Sequence, residues 1–290
     1  MNNYFSKETV NNMKGLFAIM VLVHHIFLKV LILPEGSVVE FVTHHFGYWA
    51  VSAFFFFSGY GLMISCKKEN YRDTFLRNRV LPIFLINVLL IAIYTLEKVL
   101  LNIPFTFMKV LESFVIGETI VNFGWFMQII VIFYLLFWLS TYFKSRSAEA
   151  LLSLIVVYIV VSMGLHLNDY YYLSSFAFPI GMYFCKYKEN VDAMVDKCSN
   201  LTLLVSCTFF VGIMSVLYLL QAGLLKMGLI SLFLYFLEGP VLMCFVVMFI
   251  KSFVYNNRLL AFCGSISFAV YIMRRICVQS AEKRVLGSGE

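Results

Sequence analysis

Long apolar stretches that are nearly free of charge alternate along this chain with short charged connections. Each stretch approaches the roughly 20 residues that a helix needs to cross the hydrocarbon of a bilayer. Only 13% of the residues are charged and 61% are hydrophobic, whereas soluble domains carry about 25% charged residues. Because backbone polar groups inside hydrocarbon must bond within their own segment, these stretches are predicted to be helices. We therefore predict an all-α, polytopic transmembrane helix bundle.

About nine of the stretches are long enough to be spans, and we predict that residues 1–290 form a single membrane-embedded domain. The spans are predicted at residues 14–33, 46–65, 80–101, 124–143, 150–167, 171–185, 201–221, 229–250 and 259–273. The apolar segment at residues 105–116 is too short to cross, so it is predicted to lie at the interface or to re-enter the membrane.

The distribution of Lys and Arg predicts the orientation. The connection at residues 66–79 holds five basic residues, and the preceding connection at residues 34–45 holds none. The five are Lys67, Lys68, Arg72, Arg77 and Arg79. Since cytoplasmic connections are enriched in Lys and Arg, we predict a cell-membrane protein with a cytoplasmic amino terminus. The net charge of +6 follows from such connections, so no nucleic-acid partner is expected, and the seven cysteines lack zinc-site spacing, so no metal is expected.

The first predicted span carries Lys14 and His25, which are candidates for chemistry. They are eleven positions apart, which returns to nearly the same helix face and separates them by roughly 16 Å along the axis. An imidazole can take a proton from a hydroxyl group or act as a nucleophile, and either ability serves acyl transfer. The alternative is an imidazole that is hydrogen-bonded between helices, which we predict for His24. His44 and His45 are predicted to be solvated in the outer connection.

Two further spans carry polar groups. Ser58 and Gly59 lie among four phenylalanines in the second span, where they allow either close helix packing or a narrow slot for an acyl chain. Glu238 precedes Gly239 and Pro240 at a predicted helix break. Its carboxylate could orient an imidazole or bind an ion, and the simpler alternative is a buried, protonated acid.

Three arginines and two interfacial residues complete the candidates. The guanidinium groups of Arg72, Arg77 and Arg79 match the geometry of phosphate groups, although basic residues are expected in any cytoplasmic connection. Trp125 and Gln128 begin the fourth span, where a tryptophan is ordinarily an interfacial belt residue.

Five segments in order resemble the acyltransferase 3 family of membrane acyltransferases, which includes polysaccharide O-acetyltransferases. The first is Lys14 with His25, which is similar to an Arg-x10-His pattern. The second is the aromatic Ser-Gly segment at residues 54–60, and the third is Arg77 and Arg79 before Pro82. The last two are Trp125-Phe126 and the Gly-x-x-Ser-like segment at residues 264–272. Together these segments cover most of the chain.

The chain also departs from that pattern. Lys14 stands where arginine is common, and Arg77-Asn78-Arg79 replaces an Arg-x-x-Arg spacing. After Met273 the family usually continues with a histidine and a further helix, whereas this chain continues with Arg274-Arg275. About nine predicted spans against the ten typical of the family suggest a member that is truncated at the carboxy terminus or inactive.

The resemblance implies a reaction. Acetyl-CoA is the expected donor substrate at the cytoplasmic basic connection, no tightly bound cofactor is expected, and the acceptor is a sugar hydroxyl presented from the outer side. His25 is then the general base or a transient acyl carrier, and Lys14 holds a donor phosphate or orients the site. The donor-binding residues are then Arg72, Arg77, Arg79 and Ser58, with possible support from Glu238, Trp125 and Gln128.

Two alternatives remain open on the sequence. A transporter or flippase of a lipid-linked sugar would use His25, Glu238 and Ser58 to line a path without covalent chemistry. A noncatalytic membrane component would follow if the carboxy-terminal departure removed the active arrangement.

Overall fold

The computed structural model describes residues 4–29, 33–34, 36–115, 117, 120–121, 124–197, 199–223, 229–252 and 257–267. Every regular element within these residues is helical. The α-helices are α1 (Lys7–Lys29), α2 (Val38–Ser65), α3 (Tyr71–Phe75), α4 (Leu81–Leu100), α5 (Phe107–Ser113), α6 (Trp125–Ser140), α7 (Ser147–Gly164), α8 (Ala177–Lys186), α9 (Lys188–Lys197), α10 (Ser199–Gln221), α11 (Leu229–Ser252) and α12 (Arg258–Ser265). A π-helical turn spans Leu76–Val80, and 3-10 turns span Thr141–Arg146 and Asp169–Tyr171.

The chain divides into two compact units. The first unit combines residues 1–60 with residues 176–290, and the second unit is residues 61–175. The first unit contains α1, most of α2 and α8 to α12, and the second contains the helices from α3 to α7.

Six helical segments within the described residues are long and apolar enough to cross a membrane. They are Lys7–Phe27, Val38–Ser65, Tyr71–Leu100, Trp125–Gly164, Asn200–Gln221 and Ile230–Lys251. The all-helical, multi-pass prediction is confirmed at this level, but the nine predicted spans are not.

The shortfall against nine spans has three local causes. The spans predicted at 124–143 and 150–167 fall in one continuous candidate segment, Trp125–Gly164, which the non-helical Lys144 at φ 48° divides into the helices α6 and α7. The span predicted at 171–185 is the ten-residue helix α8, which at about 15 Å is too short to cross. The ninth span begins as the eight-residue helix α12, and the rest of that span lies outside the described residues.

Helix α2 begins eight residues before the predicted span at residue 46. Ser37 caps the start of the helix, and Glu40 reaches back past it: the Glu40 N–H donates to Ser37 Oγ at 3.2 Å, and the Gly36 N–H donates to Glu40 Oε2 at 2.7 Å. Such a Ser-x-x-Glu arrangement satisfies backbone donors that a helix start leaves unpaired. His44 and His45 therefore lie inside a helix, so their predicted place in the outer connection was wrong.

The connection predicted at residues 66–79 also contains regular structure. Helix α3 begins at Tyr71 and leads through the π-helical turn into α4. The segment predicted as too short to cross contains only the seven-residue helix α5, in agreement with that prediction.

In the first unit, helices α2 and α8 cross at a pair of glycines. A side-chain carbon on Gly59 would overlap the backbone carbonyl of Phe178, and one on Gly181 would overlap that of Phe56. Glycine at both positions lets the two backbones touch, as small residues do in membrane helix pairs. The segment of four phenylalanines packs beside this crossing, and Phe56 is only 2% exposed. These contacts favour the packing interpretation of Ser58-Gly59 over an acyl slot.

Helices α1 and α12 cross in the same way. A side-chain carbon on Gly15 would overlap the carbonyl of Leu260, and one on Gly264 would overlap that of Asn11. The buried Asn12 side chain accepts the Asn257 N–H at 2.9 Å beside the start of α12. The late family-like segment therefore begins against the helix that carries Lys14, and its residues 268–272 lie outside the described residues.

A polar junction ties the amino terminus of the first unit to α9 and α11. Tyr4 Oη donates to Asp192 Oδ1 at 2.5 Å, Lys188 Nζ donates to Oδ2 at 2.6 Å, and Lys251 Nζ donates to the Asp192 carbonyl at 3.2 Å. Burial raises the pKa of the Asp192 carboxyl, but the hydrogen bonds from Lys188 and Tyr4 and the charges of Lys188 and Lys251 outweigh it. The pKa therefore lies below its ordinary value.

This junction should make stability depend on pH in acid. A carboxyl with a lowered folded-state pKa stabilises the fold above its unfolded pKa, about 3.9, and this contribution is lost as the pH falls through the lower folded-state pKa. We expect Asp192→Asn to unfold at a lower temperature than the unmodified protein at pH 7. The difference between the two unfolding temperatures should become smaller in acid, below the unfolded-state pKa. Thermal unfolding in detergent measures both proteins, with the exposed Asp73→Asn as control. A difference that is constant with pH would contradict the assignment.

Candidate functional site

Helix α1 carries both candidate residues for chemistry in one uninterrupted segment of 23 residues. His25 is buried in the first unit, with 7% of its surface exposed, and Lys14 is half-buried. Eleven residues of helix separate them by roughly 16 Å along the axis and return to nearly the same face. One face of α1 thus presents an amine near its start and an imidazole near its end.

His24 is hydrogen-bonded between helices, as predicted. Its Nδ1 lies 2.8 Å from the carbonyl oxygen of Thr43 on α2, and because a carbonyl only accepts, Nδ1 carries the proton. In the neutral ring Nε2 then holds the lone pair. Gly47 leaves room for the Nε2 atom of His24, since a side-chain carbon at Gly47 would lie 2.8 Å from that nitrogen.

A buried carboxylate lies in the same unit with an imidazole and an indole. His45 Nδ1 lies 2.7 Å from Glu238 Oε1, and the Trp49 indole N–H donates to the same oxygen. His45 is 1% exposed and Glu238 is 3% exposed. The predicted solvation of His45 was therefore wrong. Glu238 therefore contacts an imidazole, that of His45, and its role in orienting that ring stays a prediction.

The helix break predicted at Glu238 is absent. Helix α11 continues from Leu229 to Ser252 with Pro240 inside it. The carboxylate therefore projects from a regular helix rather than from an unwound segment.

Four of the five histidines in the sequence follow one another in space. The ring centroids of His25 and His24 are 5.0 Å apart, those of His24 and His44 are 6.0 Å apart, and those of His44 and His45 are 6.0 Å apart. We call this series, with Glu238 at its end, the histidine chain. In the described part of the protein, no group of three or more His, Cys, Asp or Glu side chains is arranged to hold a metal ion.

The sequence contained one usable signal for the histidine chain. The Ser37-x-x-Glu40 pattern is typical of a helix start, and a helix beginning there places His45 and Trp49 one turn apart on one face. The pairing of that face with Glu238, 193 positions away, has no counterpart in local sequence.

The three candidate arginines lie in the second unit, on α3 and the π-helical turn, and all are exposed. The Arg72 guanidinium carbon lies 3.2 Å from the centroid of the Tyr142 ring, and the Arg72 carbonyl accepts the Trp138 indole N–H. Arg77 and Arg79 both lie in the π-helical turn, a distortion that often marks functional sites.

Trp125 and Gln128 begin α6, and their contacts within the second unit are structural. The Trp125 ring packs 5.0 Å from that of Tyr170, centroid to centroid. Gln128 is 6% exposed, and its Nε2 donates to the Ser113 carbonyl at 3.0 Å. Gln128 thereby ties α6 to the end of α5.

The candidates divide between the units. The first unit holds Lys14, His25, Ser58 and Glu238, and the second holds Arg72, Arg77, Arg79, Trp125 and Gln128. Ser58 is half-buried in α2, and a donor-binding role for it stays a prediction.

Residues 8–279 match the family model described as an acyltransferase domain, that of acyltransferase 3. Comparison with curated proteins gives no significant match, and comparison with solved structures gives none either. The match spans α1 through α12, so it includes every candidate residue.

Proposed function

Because the chain belongs to the acyltransferase 3 family, we propose that it transfers an acetyl group from cytoplasmic acetyl-CoA to a sugar hydroxyl of a cell-envelope polysaccharide or exopolysaccharide. The family makes this multi-pass membrane protein an acyltransferase, and the donor, the acceptor and the cytoplasmic amino terminus are the specific parts of the proposal. The observation that carries it is the buried imidazole of His25 on the helix that also presents Lys14.

His25 can serve the reaction in two ways. As general base, it takes the proton of the sugar hydroxyl while that oxygen attacks the thioester carbonyl, so that a C–O bond forms and the C–S bond breaks. As acyl carrier, its ring nitrogen attacks the thioester carbonyl first and coenzyme A leaves as the thiolate. The sugar oxygen then attacks the acyl carbon, the imidazole leaves, and the hydroxyl proton is released to water. Both routes end in an ester and free coenzyme A.

The remaining candidates have supporting roles in this proposal. Arg77 and Arg79 bind donor phosphates, for which planar guanidinium groups are well suited. Arg72 assists with the N–H groups at the edge of its guanidinium, because the face lies on Tyr142. Lys14 binds a phosphate or orients the donor.

The test uses the full chain in lipid nanodiscs with radiolabelled acetyl-CoA and envelope polysaccharide that alkali has freed of its esters. We expect label to enter the polysaccharide as an alkali-labile ester. The double variant Arg77→Gln, Arg79→Gln should raise the KM for acetyl-CoA by about tenfold or more, since each lost charge-assisted hydrogen bond contributes about 1.5–3 kcal/mol. Arg146→Gln, an exposed arginine at the end of the Thr141–Arg146 turn, is the matched control.

The same preparation separates the two routes. Label that remains on the protein when polysaccharide is omitted indicates the acyl carrier, and its absence indicates the general base. If acetyl-CoA is not consumed while a lipid-linked sugar moves across the bilayer, the transferase proposal fails and the protein is a transporter.

A further inference from the structure

The histidine chain joins the proposed reactive residue to a buried carboxylate. His25 and Glu238 lie at its two ends, and His24, His44 and His45 lie between them. Ring centroids 5.0 to 6.0 Å apart place neighbouring imidazoles within reach of a direct hydrogen bond or one bridging water. The fifth histidine, His166, lies in the second unit and takes no part.

The carboxyl end of the series holds two ring nitrogens against one oxygen. Glu238 Oε1 accepts the Trp49 indole N–H and lies 2.7 Å from His45 Nδ1. The His45 ring stacks parallel to Tyr235 at 6.2 Å and lies 4.2 Å from the ring of Phe41, which holds it in place. A carboxylate and an imidazole held in this way form a pair that can accept a proton.

The middle of the histidine chain contains one half-buried ring and one exposed ring. Because His24 Nδ1–H is held on the Thr43 carbonyl, Nε2 is the atom of His24 that takes up a proton and passes it on, and His44 is exposed at the protein surface. His44 therefore connects the two buried halves of the chain and offers an exit.

We propose that the histidine chain conducts the proton of the acceptor hydroxyl from His25 to the His45–Glu238 pair. This inference rests on the proposed role of His25. The hydroxyl oxygen bonds to the acyl carbon as the C–S bond breaks, the hydroxyl proton passes to His25 and along the chain, and coenzyme A leaves as the thiolate. The thiolate takes a proton from water on its own side, because the pKa of an alkyl thiol is near 8.5. The proton on the pair leaves through His44, and His25 is again neutral.

A purely structural carboxylate would need only part of this arrangement. A clamp between α2 and α11 requires Glu238, His45 and Trp49, and it gives no role to His44. Replacing His44, which is exposed and outside the clamp, therefore distinguishes the two explanations.

The test measures acetyl transfer from radiolabelled acetyl-CoA to alkali-treated envelope polysaccharide by the full chain in nanodiscs. Glu238→Gln keeps a side-chain oxygen that can accept the N–H groups of His45 and Trp49, but the amide cannot hold the hydroxyl proton. His44→Asn interrupts the histidine chain at its exposed residue. Each variant should lower kcat about 10²-fold and leave the KM for acetyl-CoA unchanged, since positioned acid–base groups contribute about 10²- to 10⁴-fold. The kinetic isotope effect in D₂O should rise in both variants, and Glu238→Asp should recover part of kcat.

Matched controls are Glu189→Gln and His166→Asn, which change exposed residues outside the chain. If His44→Asn has the same kcat and the same isotope effect as the unmodified protein, the proposed proton path is wrong. This result decides the question even if Glu238→Gln fails to fold. If the unmodified protein and both controls transfer no acetyl group, the proposed function itself has failed. If they are active and His44→Asn matches them, only the proton path has failed.

Discussion

A protein in which asparagine replaces His25 is expected to lose acetyl transfer by about 10²- to 10⁴-fold, the range that a positioned acid–base group contributes. The reason is that asparagine can hydrogen-bond from a similar position but can neither take the hydroxyl proton nor form a transient acyl intermediate. The assay is transfer of radiolabel to polysaccharide by the full chain in nanodiscs. The KM for acetyl-CoA should stay near that of the unmodified protein.

His166→Asn is the control for this substitution. His166 is exposed in the second unit at φ 54°, a backbone conformation that asparagine tolerates well. Equal amounts of both variants in the membrane, with activity lost only in His25→Asn, would support a chemical role. Undiminished transfer by His25→Asn would remove His25 from the reaction.

The second large effect is expected at the crossing of α2 and α8. Gly59→Ala places a methyl group on the carbonyl of Phe178, a backbone atom that cannot turn away, so the helices must separate. Overpacking of this kind typically costs about 1–3 kcal/mol. We expect a lower midpoint of thermal unfolding in detergent and less protein in the membrane.

Gly61→Ala is the matched control, two positions further along the same helix. A side-chain carbon there meets nothing within 4 Å, so the change should be neutral or slightly stabilising through helix propensity. Equal unfolding midpoints for the two alanine variants would show that close backbone contact at Gly59 does not stabilise this unit.

The sequence supported the coarse architecture because the membrane requirement acts on every residue of a span. Length and apolarity alone indicate α1, α4, α10 and α11, and the structure contains each of them. The length of α8 was overestimated because its ten residues, six of them buried and all but Lys186 uncharged, look like part of a span. Burial inside a protein and burial in lipid select the same residue types, so composition does not distinguish them.

The polar sites were predictable to different degrees. Lys14 and His25 share a helix, so their spacing was enough to relate them. Glu238 and His45 meet only through packing of α2 against α11, and nothing near either residue in the sequence indicates the partner. His45 was misplaced for a local reason, since the cap at Ser37 and Glu40 extends α2 past the polar residues that suggested a loop.

Acetyl transfer at His25 can be tested by mass spectrometry of surface glycans from cells that carry the unmodified protein, the His25→Asn variant or neither. We expect acetyl esters on envelope polysaccharide only with the unmodified protein, when the two forms are present in the membrane in equal amounts. Acetyl esters that persist at the same level in all three cell types would contradict the proposed acetyl transfer.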